Sequence, residues 1–344
     1  MPCPVTTDVG RAADVLRAGG LVALPTETVY GLGANALDAK AVARIFAAKR
    51  RPAFDPLIVH LATLDDWPRV ASAMPARALA LARAFWPGPL TLVLPKQPAI
   101  PDIVTSGLTT VGVRVPDHPL MRAVLERAGC PVAAPSANRF GRLSPTRAEH
   151  VVEQLGDDID LVLDGGPCAV GVESTIVRPD ADGVTVLRLG GLPVEAIEAV
   201  AGPVRVAAHE SPTAPEAPGM LPQHYAPRTP IELVAARDLP HPPAGARWGL
   251  LAPDRSAAPT TAAGVAGAPA DAWCTVELLS DDGDLVTAAA RLFDALHRLD
   301  ALGLERIVAV ACPDRGLGRA INDRLRRAAA PGDAGAHTTP PSRR

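Results

Sequence analysis

The chain has 344 residues, 48% hydrophobic and 21% charged, so it is long enough to form two domains around a sizeable core. Its formal net charge of −3 excludes a general attraction to nucleic acid, so any RNA contact requires a local basic patch. The five cysteines are scattered and never form C-x-x-C, which argues against zinc or a disulfide framework and predicts a cytoplasmic protein. Neither a signal peptide nor a membrane-spanning apolar run is predicted.

The predicted elements begin with a short helix at residues 8–19, which ends at Gly19 and Gly20. The apolar run at residues 21–24 predicts a buried strand. Pro25 ends this strand because proline has no N–H with which to continue a central ladder.

Two glycines follow, Gly31 and Gly33, and they allow either close backbone approach or a positive φ angle. With Ala36 they also match G-x-G-x-x-A, and Arg50 and Arg51 lie where an NADP enzyme would bind a 2′-phosphate. The spacing argues against that alternative, because a dinucleotide turn follows its strand directly, whereas here several residues intervene.

The next helix, with Asp38 as its predicted N-cap, carries a lysine in an unusual place. Lys49 continues the apolar stripe of the helix, so its cation is aimed inward. With Arg50 and Arg51 beside it, Lys49 predicts an anion site. The alternative is that Lys49 only snorkels to solvent and the three cations complement the helix dipole. The apolar positions of the stripe are Val42, Ile45 and Phe46.

Alternating strands and helices then continue to residue 188. Arg114 lies inside a β-branched strand and needs either an anionic partner or an exposed edge. His60 lies in another strand, where a buried, satisfied histidine is the usual case. Strands are predicted at 56–62, 90–94, 109–116, 131–134, 160–163, 174–178 and 184–188, and helices at 75–85, 120–128 and 147–155.

The loop APSANRFGRLSPT, residues 134–146, follows the carboxyl end of a strand, where open α/β sheets bind ligands. Thr146 and Glu149 predict a capping box, which leaves the Ser144 hydroxyl available for another partner.

Residues 203–229 are rich in proline and alanine and predict a linker. The linker contains APGMLPQHYAPR, whose His224 and Tyr225 are unusual for a flexible spacer and predict a lid over the first domain. Beyond it, strands and helices alternate and predict a second α/β domain with a parallel core. Its strands are predicted at 231–235, 248–252 and 306–311, its helices at 284–299 and 317–328, and a loop at 254–272.

Several motifs together resemble the YrdC-like threonylcarbamoyl-AMP synthases in their longer, two-domain form. They are PTETVYGLG, the K-x-R at Lys49 and Arg51, PLIVH, GVRVP, APSAN, ESTIV and HYAP. The resemblance implies a twisted, open, mixed α/β sheet flanked by helices, plus a smaller Rossmann-like α/β domain. The expected organisation is a catalytic domain at 1–202, a linker and lid at 203–229, a small domain at 230–328 and a disordered tail at 329–344.

The resemblance implies a nucleotidyltransferase that forms threonylcarbamoyl-AMP and pyrophosphate from L-threonine, bicarbonate and ATP with Mg²⁺. A partner transferase would use the adenylate to modify tRNA next to the anticodon, and direct tRNA binding is expected to be weak or absent. Two alternatives stay open: a non-catalytic module that binds double-stranded RNA or tRNA, and a carbamoyl-transfer maturation factor.

The site residues follow from the same resemblance. Threonine is expected to contact Thr28, His60, Arg114, Ala134 and Ser174. ATP is expected to contact Lys49, Arg51, Asp55, Thr110, Ser136, Asn138, Ser144, Arg188, His224 and Tyr225. Lys49 and Arg51 are the expected catalytic pair, since charge stabilisation by cations requires no strong base. Arg50, where relatives commonly have glycine, adds a charge near the phosphates.

Overall fold

The computed structural model describes residues 3–52, 54–180, 182–207, 217–220, 224–258 and 273–330. The predicted tail beyond residue 330 and most of the predicted 254–272 loop lie outside these ranges. Three parts are named below. The large-sheet unit is the described chain from 3 to 207, the lid is 217–220 with 224–229, and the small-sheet unit is the described chain from 230 to 330.

The secondary structure of the large-sheet unit alternates along the chain. Its strands are β1 Val5–Thr6, β2 Val22–Leu24, β3 Gly31–Asn35, β4 Ile58–His60, β5 Leu90–Pro95, β6 Thr110–Arg114, β7 Val132–Ala133, β8 Leu161–Leu163, β9 Thr175–Pro179, β10 Val184–Arg188 and β11 Val204–Val206. Its helices are α1 Val9–Arg17, α2 Ala39–Lys49, α3 Ala76–Phe85, α4 Asp102–Thr105, α5 Pro119–Ala128, α6 Ala148–Leu155 and α7 Val194–Ala201.

The small-sheet unit contains β12 Ile231–Val234, β13 Trp248–Ala252, β14 Thr275–Leu278 and β15 Arg306–Val310, with the helices α8 Leu285–Ala301 and α9 Leu317–Ala329. Short 3₁₀ turns lie at Leu64–Arg69, Ala236–Asp238 and Arg255–Ala257.

The described strands form two sheets. The large one has the order β1-β8-β2-β3-β7-β4-β6-β5-β9-β10-β11 and mixes parallel and antiparallel pairs. The small one has the order β12-β15-β13-β14, and all its pairs are parallel. The predicted mixed α/β fold with a second, parallel sheet is therefore confirmed. In the described ranges, no helix is both long and apolar enough to cross a membrane.

The structure decides between the interpretations of the glycine segment and confirms the predicted close backbone approach. Gly31 and Gly33 lie in β3, which runs antiparallel to β2, so they form neither a positive-φ turn nor a dinucleotide turn before a helix. They permit close approach, the first of the two predicted roles, since a Cβ atom on Gly33 would lie 2.7 Å from Leu24 Cδ1. A Cβ atom on Gly31 would meet that of Ala134 at 3.2 Å. The NADP alternative is therefore wrong.

Two further expectations need correction. The predicted capping box of Thr146 and Glu149 does not form, because the N-cap of α6 is Arg147 and the Thr146 hydroxyl has no hydrogen-bond partner among the described residues. The predicted linker at 203–229 begins inside the large sheet, because β11 pairs with β10. The sequence analysis also missed α4, α7, β1 and β14, which are short.

The hydrophobic core explains how the two units hold together. One cluster packs beneath the large sheet, while another is shared by the large-sheet unit, the lid and the helices of the small-sheet unit. Val29 and Val172 contribute to the shared cluster from the first part, Tyr225 from the lid, and Phe293 and Ile321 from α8 and α9. Because apolar burial is the main stabilising term, this cluster fixes the lid against both units.

Candidate active site

A cavity lies where several strands of the large sheet end, and residues of the lid form part of its wall. Its volume is about 40 Å³, room for only a few water molecules at about 10–15 Å³ each. The ligands expected from the sequence are larger than this space. Its walls are formed by Thr26, Thr28, Val29, Gly31, Arg51, Ile58, His60, Arg114, Ala134, Pro135, Ser136, Glu173, Ser174, Arg188, Pro218, Gly219, His224 and Tyr225.

The structure brings most of the predicted site residues to this one cavity. Those that line it are Thr28, Arg51, His60, Arg114, Ala134, Ser136, Ser174, Arg188, His224 and Tyr225. Those that do not line it are Lys49, Asp55, Thr110, Asn138 and Ser144. Of these, Thr110 lines a narrow apolar neighbour of the cavity, with which it shares Ile58 and Pro218.

Arg114 reaches the cavity from the end of β6 and has the anionic partner that its strand position requires. Its Nη2 lies 2.6 Å from Glu27 Oε1, and both side chains are buried. Its Nε donates to the carbonyl of Gly88 at 3.2 Å. The guanidinium is therefore fixed at the cavity wall, with its charge offset on one side by Glu27.

Arg51 follows the C-terminus of α2 and is held from behind by Asp55. Its Nη2 lies 2.9 Å from Asp55 Oδ2, and Asp55 is fully buried. Burial raises the pKa of Asp55, against the opposing effect of Arg51. Arg51 also donates to the carbonyls of Asp55 and Pro56. Asp55 is thus placed to orient Arg51 and does not face the cavity.

Lys49 points inward, as its position on the helix indicates. Its Nζ donates to the carbonyls of Ser136 and Asn138, and the residue as a whole is 1% exposed. Burial, and then the charge of Arg51, hold the pKa of Lys49 well below its usual range. Lys49 therefore ties α2 to the 134–146 loop, directly behind the cavity wall.

Two histidines line the cavity in neutral form. Burial, and then the charge of Arg114, lower the pKa of His60 to about 3. Burial, and then the charges of Arg51 and Lys49, lower the pKa of His224 well below its usual value. A neutral imidazole offers one donor and one acceptor and adds no charge to a site already rich in cations.

Ser174 and Arg188 form a hydrogen-bonded unit on the opposite wall. Arg188 donates to the Ser174 carbonyl from Nε and Nη2 and to the Ser174 hydroxyl from Nη2. The Thr91 hydroxyl lies 2.8 Å from that of Ser174. Arg188 Nη1 donates to the carbonyl of Pro218, which connects this wall to the lid.

The lid is held over the cavity by backbone contacts. The N–H of Ala226 donates to the carbonyl of Gly141, and the N–H of His224 to that of Arg327 in α9. Gly219 has a φ of +79°, and a Cβ atom there would lie 2.7 Å from the Tyr225 hydroxyl. Glycine is therefore required where the lid passes over this ring.

Three buried charged residues near the cavity were missed by the sequence analysis: Glu27, Glu173 and Arg324. The helical pattern of the sequence indicates that Arg324 is buried. It lies seven residues after Leu317 and three after Ile321, so it continues the buried stripe of α9 as Lys49 does in α2. The two glutamates sit in irregular segments, where periodicity gives no indication.

The chemistry available is the binding of two anionic ligands side by side. Arg51, Arg114 and Arg188 are guanidinium groups, which suit carboxylates and phosphates. In the described chain, no cluster of three His, Cys, Asp or Glu side chains could hold a metal ion.

Comparisons with known proteins identify the family to which the chain is similar. A family model described as "Telomere recombination" (Sua5_yciO_yrdC) matches residues 14–190, and one described as "Threonylcarbamoyl-AMP synthase, C-terminal domain" matches 192–330. The chain is 42% identical to the threonylcarbamoyl-AMP synthase of Bacillus subtilis (strain 168), covering 93% of this chain and 92% of that protein. It is 44% identical to that of Pyrococcus abyssi (strain GE5 / Orsay), covering 92% of each.

A solved structure is also similar. The crystal structure of P. abyssi Sua5 complexed with L-threonine superimposes with a TM-score of 0.83 at 38% identity, covering 96% of this chain and 98% of that one.

Proposed function

The chain belongs to the threonylcarbamoyl-AMP synthase family, and from that premise we propose how its cavity acts. It joins L-threonine, bicarbonate and ATP into threonylcarbamoyl-AMP and pyrophosphate, as a nucleotidyltransferase. The observation that carries this proposal is the convergence of Arg51, Arg114 and Arg188 on one cavity beneath the lid.

Threonine binds at the Arg114 end of the cavity. The part of the guanidinium that faces the cavity receives the carboxylate, while Glu27 holds the group from the other side. The hydroxyls of Thr28 and Ser174 and the neutral ring of His60 surround the same space and suit the polar groups of threonine. Ala134 leaves room for the backbone of the substrate.

ATP binds at the Arg51 end, beneath the lid. Arg51 and Arg188 neutralise the phosphates, and Ser136 and the lid residues His224 and Tyr225 complete the enclosure. The base is proposed to lie toward the narrow apolar space beside Thr110, which must widen to admit it because its volume is about 10 Å³. Lys49, Asp55, Asn138 and Ser144 stand behind this wall. These four residues are proposed to contact ATP once the cavity widens. Until then they hold residues of the cavity wall in place, as Asp55 holds Arg51 and Lys49 holds Ser136. The nucleotide is proposed to enter as its Mg²⁺ complex.

The reaction needs positioning more than acid–base catalysis. The amine of threonine attacks the carbon of bicarbonate, and water leaves to give a carbamate. A carbamate oxygen then attacks the α-phosphorus, and pyrophosphate departs. Because the attacking oxygen already carries negative charge, the cavity residues hold the two anions together and offset their repulsion.

The two units have different tasks on this proposal. The large-sheet unit, predicted as residues 1–202 and extended to 206 by β11, carries the cavity, and the small-sheet unit at 230–328 supports the lid. The adenylate passes to a transferase that modifies tRNA, and the chain itself needs little contact with tRNA.

The test is pyrophosphate release from ATP by the purified chain. We expect release to require both threonine and bicarbonate and to be much weaker when serine replaces threonine. Release that is independent of the amino acid contradicts the proposal. A gel shift with tRNA at about 150 mM salt tests the alternative of an RNA-binding module, since phosphate contacts dominate such binding.

A further inference from the structure

Helix α9 of the small-sheet unit inserts a charged side chain between the units. Arg324 is 1% exposed, and its Nε lies 2.7 Å from Glu173 Oε2 in the large-sheet unit. Its Nη2 donates to the carbonyl of Leu189 at 2.8 Å, and its Nη1 to Asp323 at 2.6 Å. Three of its nitrogens are therefore engaged, and two of these contacts cross to the other unit.

The partner of Arg324 leads directly to the cavity. Glu173 Oε1 accepts a hydrogen bond of 2.5 Å from the Ser144 hydroxyl, and the backbone of Glu173 continues into Ser174. Burial raises the pKa of Glu173, but the charges of Arg324 and Arg188 and the hydrogen bonds from Ser144 and Arg324 together lower it more, so the group stays ionised. Glu173 thus joins Ser144 of the 134–146 loop to the opposite wall.

Arg324 also contacts the lid. Its guanidinium lies 4.9 Å from the ring centre of Tyr225, in the geometry of a cation–π contact. Tyr225 has a φ of +65°, a backbone conformation that non-glycine residues rarely adopt. The contacts of its ring with Arg324, His224 and Phe293 hold the residue there.

We propose that Arg324 is a positioning residue for the nucleotide, and that the small-sheet unit acts on catalysis through it. In this proposal, Glu173 holds the Ser144 hydroxyl in place, and Arg324 holds the Tyr225 ring over the site of the phosphates. The pair therefore latches the lid in the arrangement that binds ATP. This inference rests on the proposed function, since it assigns the latch to the ATP half of that site.

The alternative is that the buried Arg324–Glu173 pair contributes only to the stability of the fold. A second arginine of α9 provides the control for this alternative. Arg319 lies on the same helix and also crosses to the large-sheet unit, where its Nη2 is 3.5 Å from Glu195 Oε1. It contacts neither the lid nor Glu173 in the described structure. Arg319→Met therefore removes a cross-unit ion pair without touching the latch.

The experiment compares Arg324→Met with Arg319→Met in the full chain. We expect Arg324→Met to raise the KM for ATP about 10- to 100-fold, the range for misplaced substrate contacts, and to change threonine affinity less than about threefold. Arg319→Met should leave both within about twofold, as for an exposed pair. Equal KM values for ATP in the two variants overturn the proposal. A change confined to the affinity for threonine, with the KM for ATP unchanged, also overturns it.

A second set of variants covers the case in which Arg324→Met does not fold. Glu173→Gln keeps the shape of the side chain, and the double variant Arg324→Met/Glu173→Gln removes both buried charges together. We expect the double variant to weaken ATP binding no more than the worse single variant, because the residues act as one unit. Wild-type affinity for ATP in both Glu173→Gln and the double variant overturns the proposal.

Direct ATP binding, measured by calorimetry, separates this proposal from the one on which it rests. If the wild-type chain releases no pyrophosphate with threonine, the proposed function fails. The binding measurements on Arg324→Met and Glu173→Gln still decide whether the latch holds the nucleotide.

Discussion

The ion pairs at the cavity wall and those on the small sheet lie in opposite environments. Around the cavity, Arg51 with Asp55 and Arg114 with Glu27 are at most 8% exposed in their side chains. On the small sheet, the pair of Arg306 with Glu232 is 44% and 48% exposed. Because burying an ion pair seldom stabilises a fold, buried pairs mark the part of the chain shaped for ligands. Helix α9 is the exception in the small-sheet unit, since it carries buried charges, of which Arg324 contacts the lid.

The largest expected difference between the two environments is in stability. Glu27→Ala leaves the buried Arg114 charge without its partner, and we expect it to lower the free energy of unfolding by about 3–5 kcal/mol. Glu232→Ala removes an exposed partner of Arg306 and should lower it by less than about 1 kcal/mol. Urea unfolding of both variants measures the contrast. Similar losses would show that burial does not distinguish these pairs.

The next effect is on activity. Arg51→Ala removes a cation from the cavity wall, and we expect kcat/KM for pyrophosphate release to fall about 100-fold or more, as for other lost electrostatic contacts to reacting groups. The matched variant Arg306→Ala, in the small sheet, should retain nearly wild-type activity. Near-normal release by a folded Arg51→Ala variant would contradict the role of Arg51.

The free energy of unfolding should depend on pH through the buried His60 but not through an exposed histidine. The folded state holds the pKa of His60 at about 3, below the unfolded value of 6.5, so the unfolded state takes up the proton first as pH falls. Stability is therefore lost on acidification between pH 6.5 and 3. From pH 7 to 5 this contribution is about 2 kcal/mol.

His60→Gln should remove that part of the acid sensitivity. His241, exposed in the small-sheet unit, gives the control, and His241→Gln should keep the wild-type slope of unfolding free energy against pH. A wild-type slope in His60→Gln would mean that His60 is not the neutral, buried group described above.

The smallest effect concerns backbone strain. Among the described residues, positive φ angles outside glycine occur at Arg50, Ser106 and Tyr225, all before the small-sheet unit. Arg50 caps α2 at φ 53° and ψ 40°. Arg50→Gly should raise the free energy of unfolding by about 0.5–1 kcal/mol, because glycine adopts this conformation without strain. Arg50→Ala serves as the control and should give no such gain.

The sequence predicted the site best where a regular element carries it. Lys49 and Arg114 were identifiable because a charge inside an apolar stripe or strand requires a partner. Glu27 was not, since it lies in an irregular turn whose course depends on the contacts of Arg114 from a distant strand.

The strands also differ in how well the sequence predicted them. Apolar runs such as β5 and β10 were predicted closely, with small differences at their ends. β3 was missed because its glycines resemble a loop, and only pairing with β2 and β7 makes it a strand. Thr146 resembled a capping residue locally, but the chain around it is set by contacts outside α6.

The central claim is that one cavity joins threonine, bicarbonate and ATP. The most direct measurement is mass spectrometry of the nucleotide product after incubation with ¹³C-bicarbonate, ¹⁵N-threonine and ATP. The account predicts a single adenylate that carries both labels and forms together with pyrophosphate. Unlabelled AMP or ADP as the sole nucleotide products, with no doubly labelled adenylate, would contradict it.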